Sequence, residues 1–473
     1  MTVRTIGGFA IAALLVIGAV HAVRPGGGSR PNVLLITVDT LRADHLHCYG
    51  QPLPTSPNID RLAARSVVFD RAIAASGYTG PAHSAIMTSK YPRRNSMGFS
   101  NAWLALDGVE TLAEAFRRGG YETAAFVSND VLTARSGFNL GFDVYDDDFR
   151  AAEPNRPERL ERVAPQTAER ALAWVARPHA KPVFLWVHFQ DPHGPYTPPA
   201  SYRDRFRLPP VDGEPELPVL EDNSGRGGVP PYQLVDGPRR VSDYRGRYAG
   251  EIAYMDQSVG DLLAAVERHA PVIIALTADH GESFGENGFY FAHGHSAAPD
   301  LSHVPLILSA PELSAERRAD PVGHVDLMPT LLELAGLPVP AGLEGIALGP
   351  ILRAHAGAPP RAIFCDVGYE VGAYGAEEFL LASIPAQKDW PLEFLYQSGQ
   401  ADREQTVAGA DGLTVRQTYR WSGGPTWSPR DPDPQLATRL AAYFGSSSNA
   451  AGQPVPLSPS DRERLRALGY GPR

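Results

Sequence analysis

Acidic and imidazole side chains follow two strongly apolar segments of the chain. Asp39 comes directly after VLLITV, and Asp279 and His280 come directly after VIIALTA. If both segments are parallel strands, their carboxyl ends lie at one edge of a sheet, where doubly wound folds bind ligands. Two carboxylates and an imidazole are suitable ligands for a divalent metal ion. An acid after a strand is often only a loop residue or a helix cap, so Asp39 alone is weak evidence, whereas the adjacent Asp279–His280 pair is more specific.

A hydroxyl side chain stands at the start of a predicted helix. In SGYTGPAHSAIMTSKYP, Pro81 suits a first helical turn and AHSAIMTSK is a plausible helix, which puts Thr79 at or just before its N-terminus. The unpaired N–H groups and the positive dipole end of a helix favour anions there. Beside a metal ion, the Thr79 hydroxyl would have a lowered pKa and could attack phosphorus or sulfur. From these residues alone, the simpler interpretation is that Thr79 caps the helix.

Two loops carry histidines that could act on a substrate. Asp191 and His193 follow an apolar strand in VHFQDPHGPYTPP, and His293 and His295 lie in the loop FYFAHGHSAAPD. Such side chains can orient a substrate or protonate a leaving group, and Asp191, His193 and His295 could hold a second metal ion. A lone histidine is usually structural, but the second loop comes soon after the acid–histidine pair, which favours a site.

The elements that must position these groups alternate between strands and helices. Apolar runs such as VLLITVD, AAFVSN, VFLWVHF and VIIALTAD alternate with helical segments such as TAERALAWVA and YAGEIAYMDQSVGDLLAAVERH. Thr111 and Glu114 form a capping box, which predicts the start of a helix over TLAEAFRR. The alternation predicts an α/β fold with a largely parallel, doubly wound sheet flanked by helices.

Two regions depart from this alternation. Residues 204–240 are rich in proline, glycine and acidic residues, which is typical of a lid, a binding loop or a disordered flap. After about residue 356 the pattern changes to short strands and turns. We therefore predict a main domain over residues 31–355, with an irregular insertion at 204–240, and a small C-terminal α+β subdomain over residues 356–473.

Composition narrows the classes of fold and partner. The chain is 43% hydrophobic, which is enough apolar surface for a large core. Its formal net charge is −10 and it has no basic tract, which argues against nucleic acid as a partner. The two cysteines, Cys48 and Cys365, exclude a disulfide framework and a multi-cysteine zinc site, although their spacing does not say whether they pair.

The N-terminal segment has the pattern of an export signal. Arg4 is followed by IGGFAIAALLVIGAVHAV, which has no acidic residue and no basic residue except His21. Small residues near Ala22 fit cleavage at that point. An uncleaved membrane anchor is the alternative, because about 18 apolar residues can just span a bilayer. We expect residues 1–22 to be a signal peptide or anchor, residues 23–30 to be a linker, and the protein to be exported: periplasmic, extracellular or anchored to the membrane and facing outward.

Taken in order, the motifs resemble the sulfatase branch of the alkaline phosphatase superfamily. The resemblance covers nearly the whole chain from residue 31 and rests on six ordered stretches: PNVLLITVDTLRADHLHCYG, SPNIDRLAARSVVFDRAIAAS, TGPAHSAIMTSKYP, HFQDPHGPYTPP, VIIALTADHGESFGENG and HVDLMPTLLELAGLP. Such ordered agreement is specific for the superfamily. It implies an α/β sheet sandwiched by helices, a smaller C-terminal subdomain, and hydrolysis of sulfate or phosphate esters by covalent transfer to a nucleophile.

The resemblance implies a metal site and a nucleophile. Asp39, Asp279 and His280 match metal ligands, and Thr79 matches the nucleophile, whose oxygen also contacts the ion. The implied cofactor is a divalent ion: Ca, Mn, Zn or Mg. In the implied reaction, Thr79 attacks an anionic ester in line, and water or an acceptor alcohol then releases Thr79.

Three histidines have counterparts in the family pattern. His83 stands where the signature arginine would be, and His293 matches a nearby anion-binding residue. Both would take up the charge that develops on the transferred group. His193 matches a substrate-binding histidine and would assist the leaving group.

Several positions depart from the family pattern. Typical sulfatases convert a Cys or Ser to formylglycine, which Thr79 cannot form, and Thr40 replaces the second acid of an Asp-Asp pair. Ser128, Asn129 and Asp130 stand where a Lys-x-His anion pair is expected. A threonine nucleophile is similar to that of the superfamily's phosphodiesterases and phosphoglycerol or phosphoethanolamine transferases, which use Mn, Zn or Mg rather than Ca. We therefore expect an ester hydrolase, with a phosphodiesterase or such a transferase as the alternative and an inactive anion-binding homologue as the less favoured one.

Overall fold

The computed structural model describes residues 30–95, 108–149, 161–268, 271–384, 414–421, 426–431 and 433–445. The expected signal or anchor over residues 1–22 lies outside these ranges. Within the described residues, no helix is both long enough and apolar enough to cross a membrane.

The described strands fall into four sheets. They are β1 (Asn32–Val38), β2 (Val67–Phe69), β3 (Ala72–Ile73), β4 (Glu122–Phe126), β5 (Val144–Asp146), β6 (Val183–Phe189), β7 (Val272–Ala278), β8 (Ser283–Phe284), β9 (Tyr290–Ala292), β10 (His303–Val304), β11 (Leu306–Ser309), β12 (Glu316–Arg318), β13 (Val322–Gly323), β14 (Ile363–Asp366), β15 (Glu370–Tyr374), β16 (Glu378–Ser383), β17 (Thr414–Arg420) and β18 (Ser428–Arg430).

An eight-stranded sheet lies at the centre of the molecule, in the order β12-β2-β11-β7-β1-β6-β4-β5. Strand β1 pairs in parallel with both β6 and β7, whereas β11 runs antiparallel to β7 and to β2. The three central strands, β7, β1 and β6, are mostly apolar because both of their faces are buried; Leu35, Ile36, Trp186 and Ile274 are examples. The predicted α/β fold with a mostly parallel sheet is confirmed.

Helices connect and flank the strands. They are α1 (Pro57–Ala63), α2 (Thr79–Thr88), α3 (Leu112–Arg118), α4 (Ala164–Val175), α5 (Ala200–Arg205), α6 (Val241–Val266), α7 (Pro299–Ser302), α8 (Leu327–Leu334), α9 (Gly349–Arg353) and α10 (Pro434–Gly445). The predicted capping box is present: the Thr111 hydroxyl accepts from the Glu114 N–H, and the Glu114 carboxylate accepts from the Thr111 N–H.

A second sheet follows the main one in the chain. Strands β14 to β18 form a five-stranded sheet in sequence order, in which each pair is antiparallel. Leu436, Leu440 and Tyr443 of α10 pack with Val371 and Ala373 of β15. The C-terminal α+β arrangement is therefore present, whereas the exact boundary between residues 355 and 356 stays a prediction.

The two cysteines do not form a disulfide. Cys365 is buried on β14, and Cys48 is half-buried in the connection between β1 and α1; both are free. Burial raises the pKa of each thiol well above its usual range, so neither thiol is activated as a thiolate.

The C-terminal end of the insertion over residues 204–240 packs against the main domain. A short 3-10 turn spans Pro231–Gln233, and the side chains of Tyr232 and Gln233 are buried. Arg226 forms a bridge with Phe289, beside β9. The insertion therefore lies next to the segment that leads into the loop carrying His293 and His295.

Candidate active site

The carboxyl ends of three neighbouring strands bring the predicted acidic residues together. The Asp39 N–H donates to the Phe189 carbonyl at 2.9 Å, and the Asp279 N–H donates to the Val38 carbonyl at 3.3 Å. Ligand atoms of Asp39, Asp279 and His280 all lie within 4.8 Å of one another, and all three residues are buried. The parallel register of β1, β6 and β7 thus converts three distant sequence motifs into one cluster.

Each carboxylate of this cluster has one oxygen held by donors and one that is not. Asp39 Oδ2 accepts from Asn129 Nδ2 at 2.8 Å, and Asp279 Oδ1 accepts from the N–H groups of Thr40 and His280 at 3.1 and 2.7 Å. Asp39 Oδ1 and Asp279 Oδ2 are buried without a hydrogen-bond partner among the described residues. Burial, together with the negative charge of Asp279, raises the pKa of Asp39 well above its usual range. Two such oxygens fit a divalent cation, which would compensate their charge.

His280 completes this set as a neutral nitrogen ligand. Its Nδ1 lies 2.9 Å from the Gly281 carbonyl, which can only accept, so Nδ1 carries the proton and Nε2 keeps its lone pair. Burial lowers the pKa of His280 to about 4, so the ring is neutral at pH 7. Its Nε2 lies 3.5 Å from Asp279 Oδ2.

Thr79 is the first residue of α2, as the sequence predicted. The side chain is fully buried, and its Oγ1 lies 3.4 Å from His280 Nε2. Pro81 occupies the first helical turn, where its missing N–H costs no hydrogen bond. The hydroxyl therefore stands both at a helix N-terminus, which favours an anion, and beside the candidate metal ligands.

His83 lies one helical turn after Thr79 and holds the backbone there. Its Nδ1 donates to the Thr79 carbonyl at 2.8 Å, and its Nε2 lies 3.0 Å from Thr37 Oγ1. Trp186 Nε1 donates to the same Thr37 oxygen at 2.9 Å, which leaves the threonine proton to donate to His83 Nε2. Both ring nitrogens of His83 therefore have partners that hold it beside Thr79, and its expected role in taking up charge on the substrate stays a prediction.

His188, on β6, was not singled out from the sequence because it lies inside an apolar strand. Its Nε2 is buried without a hydrogen-bond partner among the described residues and lies 3.6 Å from Asp39 Oδ2. Ligand atoms of His83, His188 and Asp279 also lie within 4.8 Å of one another. Because both His83 nitrogens are engaged, the set of Asp39, Asp279 and His280 fits a metal better than this second group.

His193 and His293 converge on His280 from two loops. The ring centroid of His293 lies 4.6 Å from that of His280 and 5.3 Å from that of His193. His193 Nδ1 donates to the Gly194 carbonyl at 2.8 Å, and His293 Nδ1 lies 3.2 Å from Glu282 Oε1. His293 therefore lies directly beside the metal ligand His280, and His193 lies beside His293.

Asp191 and His295, the other members of the suggested second metal site, are placed differently. Asp191 Oδ2 accepts from the Ala164 N–H at 2.6 Å, at the first residue of α4, so this carboxylate caps a helix. His295 stacks on Phe289 at 3.8 Å, and its Nε2 lies 3.1 Å from Ser283 Oγ. In the described part of the chain, the close groups of metal-ligating atoms do not include Asp191, His193 or His295.

The positions that depart from the family pattern have structural partners. Thr40 has a φ of 54°, a left-handed conformation that turns its N–H towards Asp279. Asn129 bridges Asp39 and Gln190, with its Nδ2 2.9 Å from Gln190 Oε1. Ser128 donates to the His188 carbonyl. The segment that lacks the Lys-x-His pair therefore supports the Asp39 carboxylate.

This α/β fold, with acidic and imidazole side chains at the carboxyl ends of its central strands, is that of the sulfatase branch of the alkaline phosphatase superfamily. A family model for sulfatases matches residues 31–337, which is more than half of the chain. The chain belongs to the sulfatase family of ester hydrolases.

Individual relatives agree with this assignment. Iduronate 2-sulfatase of Homo sapiens is 28% identical over 389 residues, covering 65% of this chain and 70% of the relative. Choline-sulfatase of Rhizobium meliloti is 28% identical over 382 residues, covering 68% and 72%. Among solved structures, the phosphonate monoester hydrolase of Agrobacterium radiobacter has a TM-score of 0.59 at 20% identity, covering 82% of this chain and all of that one, which supports the fold.

Proposed function

We propose that the chain is a metal-dependent ester hydrolase that transfers the sulfuryl or phosphoryl group of its substrate to Thr79. The observation that carries this proposal is the position of Thr79 Oγ1, 3.4 Å from His280 Nε2 at the start of α2. Asp39, Asp279 and His280 would hold the ion, and the Thr79 oxygen lies beside them. A divalent ion bound there would supply positive charge to the ester oxygens and lower the pKa of the attacking hydroxyl.

Three histidines near Thr79 would position the nucleophile, contact the transferred group and protonate the leaving group. His83 fixes the Thr79 backbone through its carbonyl, so that the hydroxyl meets the ester in line. His293 contributes polar contact to the transferred group. His193 Nδ1 donates to the Gly194 carbonyl, so the proton passed to the leaving oxygen would be the second one, carried on Nε2 in the imidazolium form of the ring.

The threonine restricts how the covalent adduct is released. A formylglycine hydrate can expel sulfate by returning to an aldehyde, whereas Thr79 has a single hydroxyl and closes that route. Its adduct must be released by direct attack of water, or of an acceptor alcohol, on phosphorus or sulfur. The relatives named as sulfatases favour sulfate, and the nucleophile favours phosphorus.

The charge of the site favours a singly charged ester. Among the described residues, its contacts are made by carboxylates, histidines and neutral side chains, and Arg42 is committed to Asp44 and Glu286. One divalent ion in this setting balances one negative charge on the substrate better than two. Charge therefore disfavours phosphate monoesters, and the threonine nucleophile favours phosphorus over sulfur, so we propose that phosphodiesters are cleaved in preference to both phosphate monoesters and sulfate monoesters.

The test compares three substrates on the same preparation: a nitrophenyl phosphodiester, nitrophenyl phosphate and nitrophenyl sulfate. Thr79→Ala is the blank and is expected to lower turnover by at least about 10³-fold, as loss of a nucleophile does. Thr79→Ser, which keeps the hydroxyl, should retain part of the activity. If sulfate turnover exceeds that of both phosphates and disappears in Thr79→Ala, the preference for phosphorus is wrong.

A further inference from the structure

Glu282 is a buried carboxylate that the proposed reaction does not use. It lies two residues after His280, immediately before β8, and is fully buried. Tyr196 donates its hydroxyl proton to Glu282 Oε2 at 3.0 Å, and Gln233 Nε2 donates to the same oxygen at 3.4 Å. On the other side, His293 Nδ1 lies 3.2 Å from Glu282 Oε1.

Three side chains contact the two oxygens of the Glu282 carboxyl group. The tyrosine hydroxyl and the glutamine amide both point donors at Oε2, and the imidazole completes the shell at Oε1. A buried polar group is costly unless its hydrogen bonds are made, so these contacts fix the Glu282 carboxyl group in one place.

The ring that this carboxylate holds is part of the histidine cluster at the nucleophile. His293 packs 4.6 Å from His280 and 5.3 Å from His193, measured between ring centroids. A hydrogen bond at Nδ1 sets both the rotation of the imidazole and the position of its second nitrogen. The orientation of His293 therefore depends on Glu282.

The C-terminal end of the insertion over residues 204–240 secures this arrangement. A Cβ atom on Gly194 would lie 1.8 Å from Gln233 Oε1, so the glutamine side chain packs directly on the backbone beside His193. Tyr232 donates its hydroxyl proton to the Phe291 carbonyl at 3.0 Å, which fixes the start of the loop that carries His293. The insertion thus contacts both histidine-bearing loops.

We propose that Glu282 is a positioning residue that orients His293 towards the reacting group, and that Tyr196 and Gln233 hold Glu282 in place. The proposal rests on the proposed function, in which His293 contacts the transferred group. It gives the insertion a role in catalysis: Gln233 acts through Glu282 on a histidine at the nucleophile.

A double-mutant cycle tests whether Glu282 acts through His293. Glu282→Gln and His293→Ala are each expected to lower kcat/KM on the best nitrophenyl ester by about 10- to 100-fold. The double variant should be no worse than His293→Ala, because the interaction is already lost. Tyr196→Phe removes one donor and keeps the ring, so it should give a smaller loss that also vanishes in the His293→Ala background. Additive losses, or full activity in Glu282→Gln, would overturn the proposal.

A second measurement does not depend on turnover. In ¹⁵N-histidine NMR spectra of the full chain, with the His293 signal assigned by its loss in His293→Ala, Nδ1 should be protonated in the wild type. In Glu282→Gln the signal should shift towards the other tautomer. An unchanged His293 signal would contradict the positioning role of Glu282. If the signal shifts as predicted but the protein hydrolyses none of the three esters, the positioning role stands and the proposed function is wrong.

Discussion

Asp39 and Asp279, at the ends of β1 and β7, each have one oxygen that accepts hydrogen bonds from the protein and one that is available to a ligand. Donors from Asn129, Thr40 and His280 fix one oxygen of Asp39 and one of Asp279. The remaining oxygens are buried without a hydrogen-bond partner in the described part of the chain. A polar atom left in this way is destabilising unless a ligand compensates it, so the arrangement favours function over stability.

At this scale we predict that Asp279→Asn loses the metal. The amide keeps an oxygen for the N–H groups of Thr40 and His280 but replaces the ligand oxygen with an NH₂ group, so metal affinity should fall at least about 100-fold. Elemental analysis of the purified variant, with titration of Mn²⁺ or Zn²⁺, measures this. Asp191→Asn is the matched control and should keep its metal, because Asp191 caps α4. Loss of metal in the control alone would instead support the second metal site.

At the scale of elements, the start of α2 and the loop between β9 and α7 fit against each other. Gly294 has a φ of 79°, and a Cβ atom there would lie 2.4 Å from the ring of Tyr78, which precedes Thr79. The Gly294 carbonyl also accepts from the Tyr369 hydroxyl at 2.8 Å. The loop that carries His293 can approach the nucleophile this closely because residue 294 has no side chain.

We therefore predict that Gly294→Ala lowers kcat/KM by roughly tenfold or more while leaving metal content unchanged. The new methyl group would push the loop away from Tyr78, and a displacement of about 1 Å is enough to cause a large loss of rate. Gly288→Ala is the control, because Gly288 also has a positive φ (76°) but open space around its Cβ position. Equal losses in both variants would mean that backbone strain alone explains the effect.

The contact between α6 and the start of α1 should affect how the stability of the protein depends on pH. Asp256 of α6 accepts from the N–H groups of Asn58 and Ile59 at the start of α1, each at 2.9 Å. Burial raises the pKa of Asp256 to about 6, above its value of about 4 in an unfolded chain. The folded state therefore binds the proton more tightly, and this group's contribution to stability is lost as pH rises between those values.

Asp256→Asn should remove that part of the pH dependence. Between pH 4 and pH 6, the free energy of unfolding of the wild type should fall relative to the variant by roughly 2 kcal/mol. Urea unfolding at several pH values measures both curves, and titrations shared by the two proteins cancel in the difference. Parallel curves for the two proteins across this range would contradict the assignment.

At the scale of the whole molecule, the C-terminal sheet supports the active-site loop. Glu370 Oε1 accepts from Ser296 Oγ at 2.6 Å and from the Ala297 N–H at 3.0 Å. Arg93, just after α2, forms an ion pair with Asp366 at the end of β14. The C-terminal sheet therefore contacts both the loop that carries His293 and the segment that follows α2.

We also propose that the protein is exported, because Arg4 and the apolar run that follows it have the pattern of a signal or anchor. Mass spectrometry of the chain from its native host should find a start near Val23 or a full-length form in the membrane fraction. Recovery of a soluble cytoplasmic chain beginning at Met1 would be the contrary result.

The sequence by itself determined the parts of this site that depend on local pattern. Apolar runs fix where β1 and β7 end, so the places of Asp39, Asp279 and His280 at the sheet edge could be predicted. Pro81 marks a first helical turn, which put Thr79 at the start of α2. These predictions succeeded because neighbouring residues are enough to specify a strand end or a helix start.

Only the tertiary structure decided what the other polar side chains do. His83 meets Thr37, Asp191 meets the start of α4, Asn129 meets Asp39, and Glu282 is enclosed by Tyr196, Gln233 and His293. Each of these partners lies far away in the chain or on another element, and a buried polar group takes its role from the donors and acceptors around it. Spacing along the sequence does not contain that information, because packing of the strands and loops is what selects the partners.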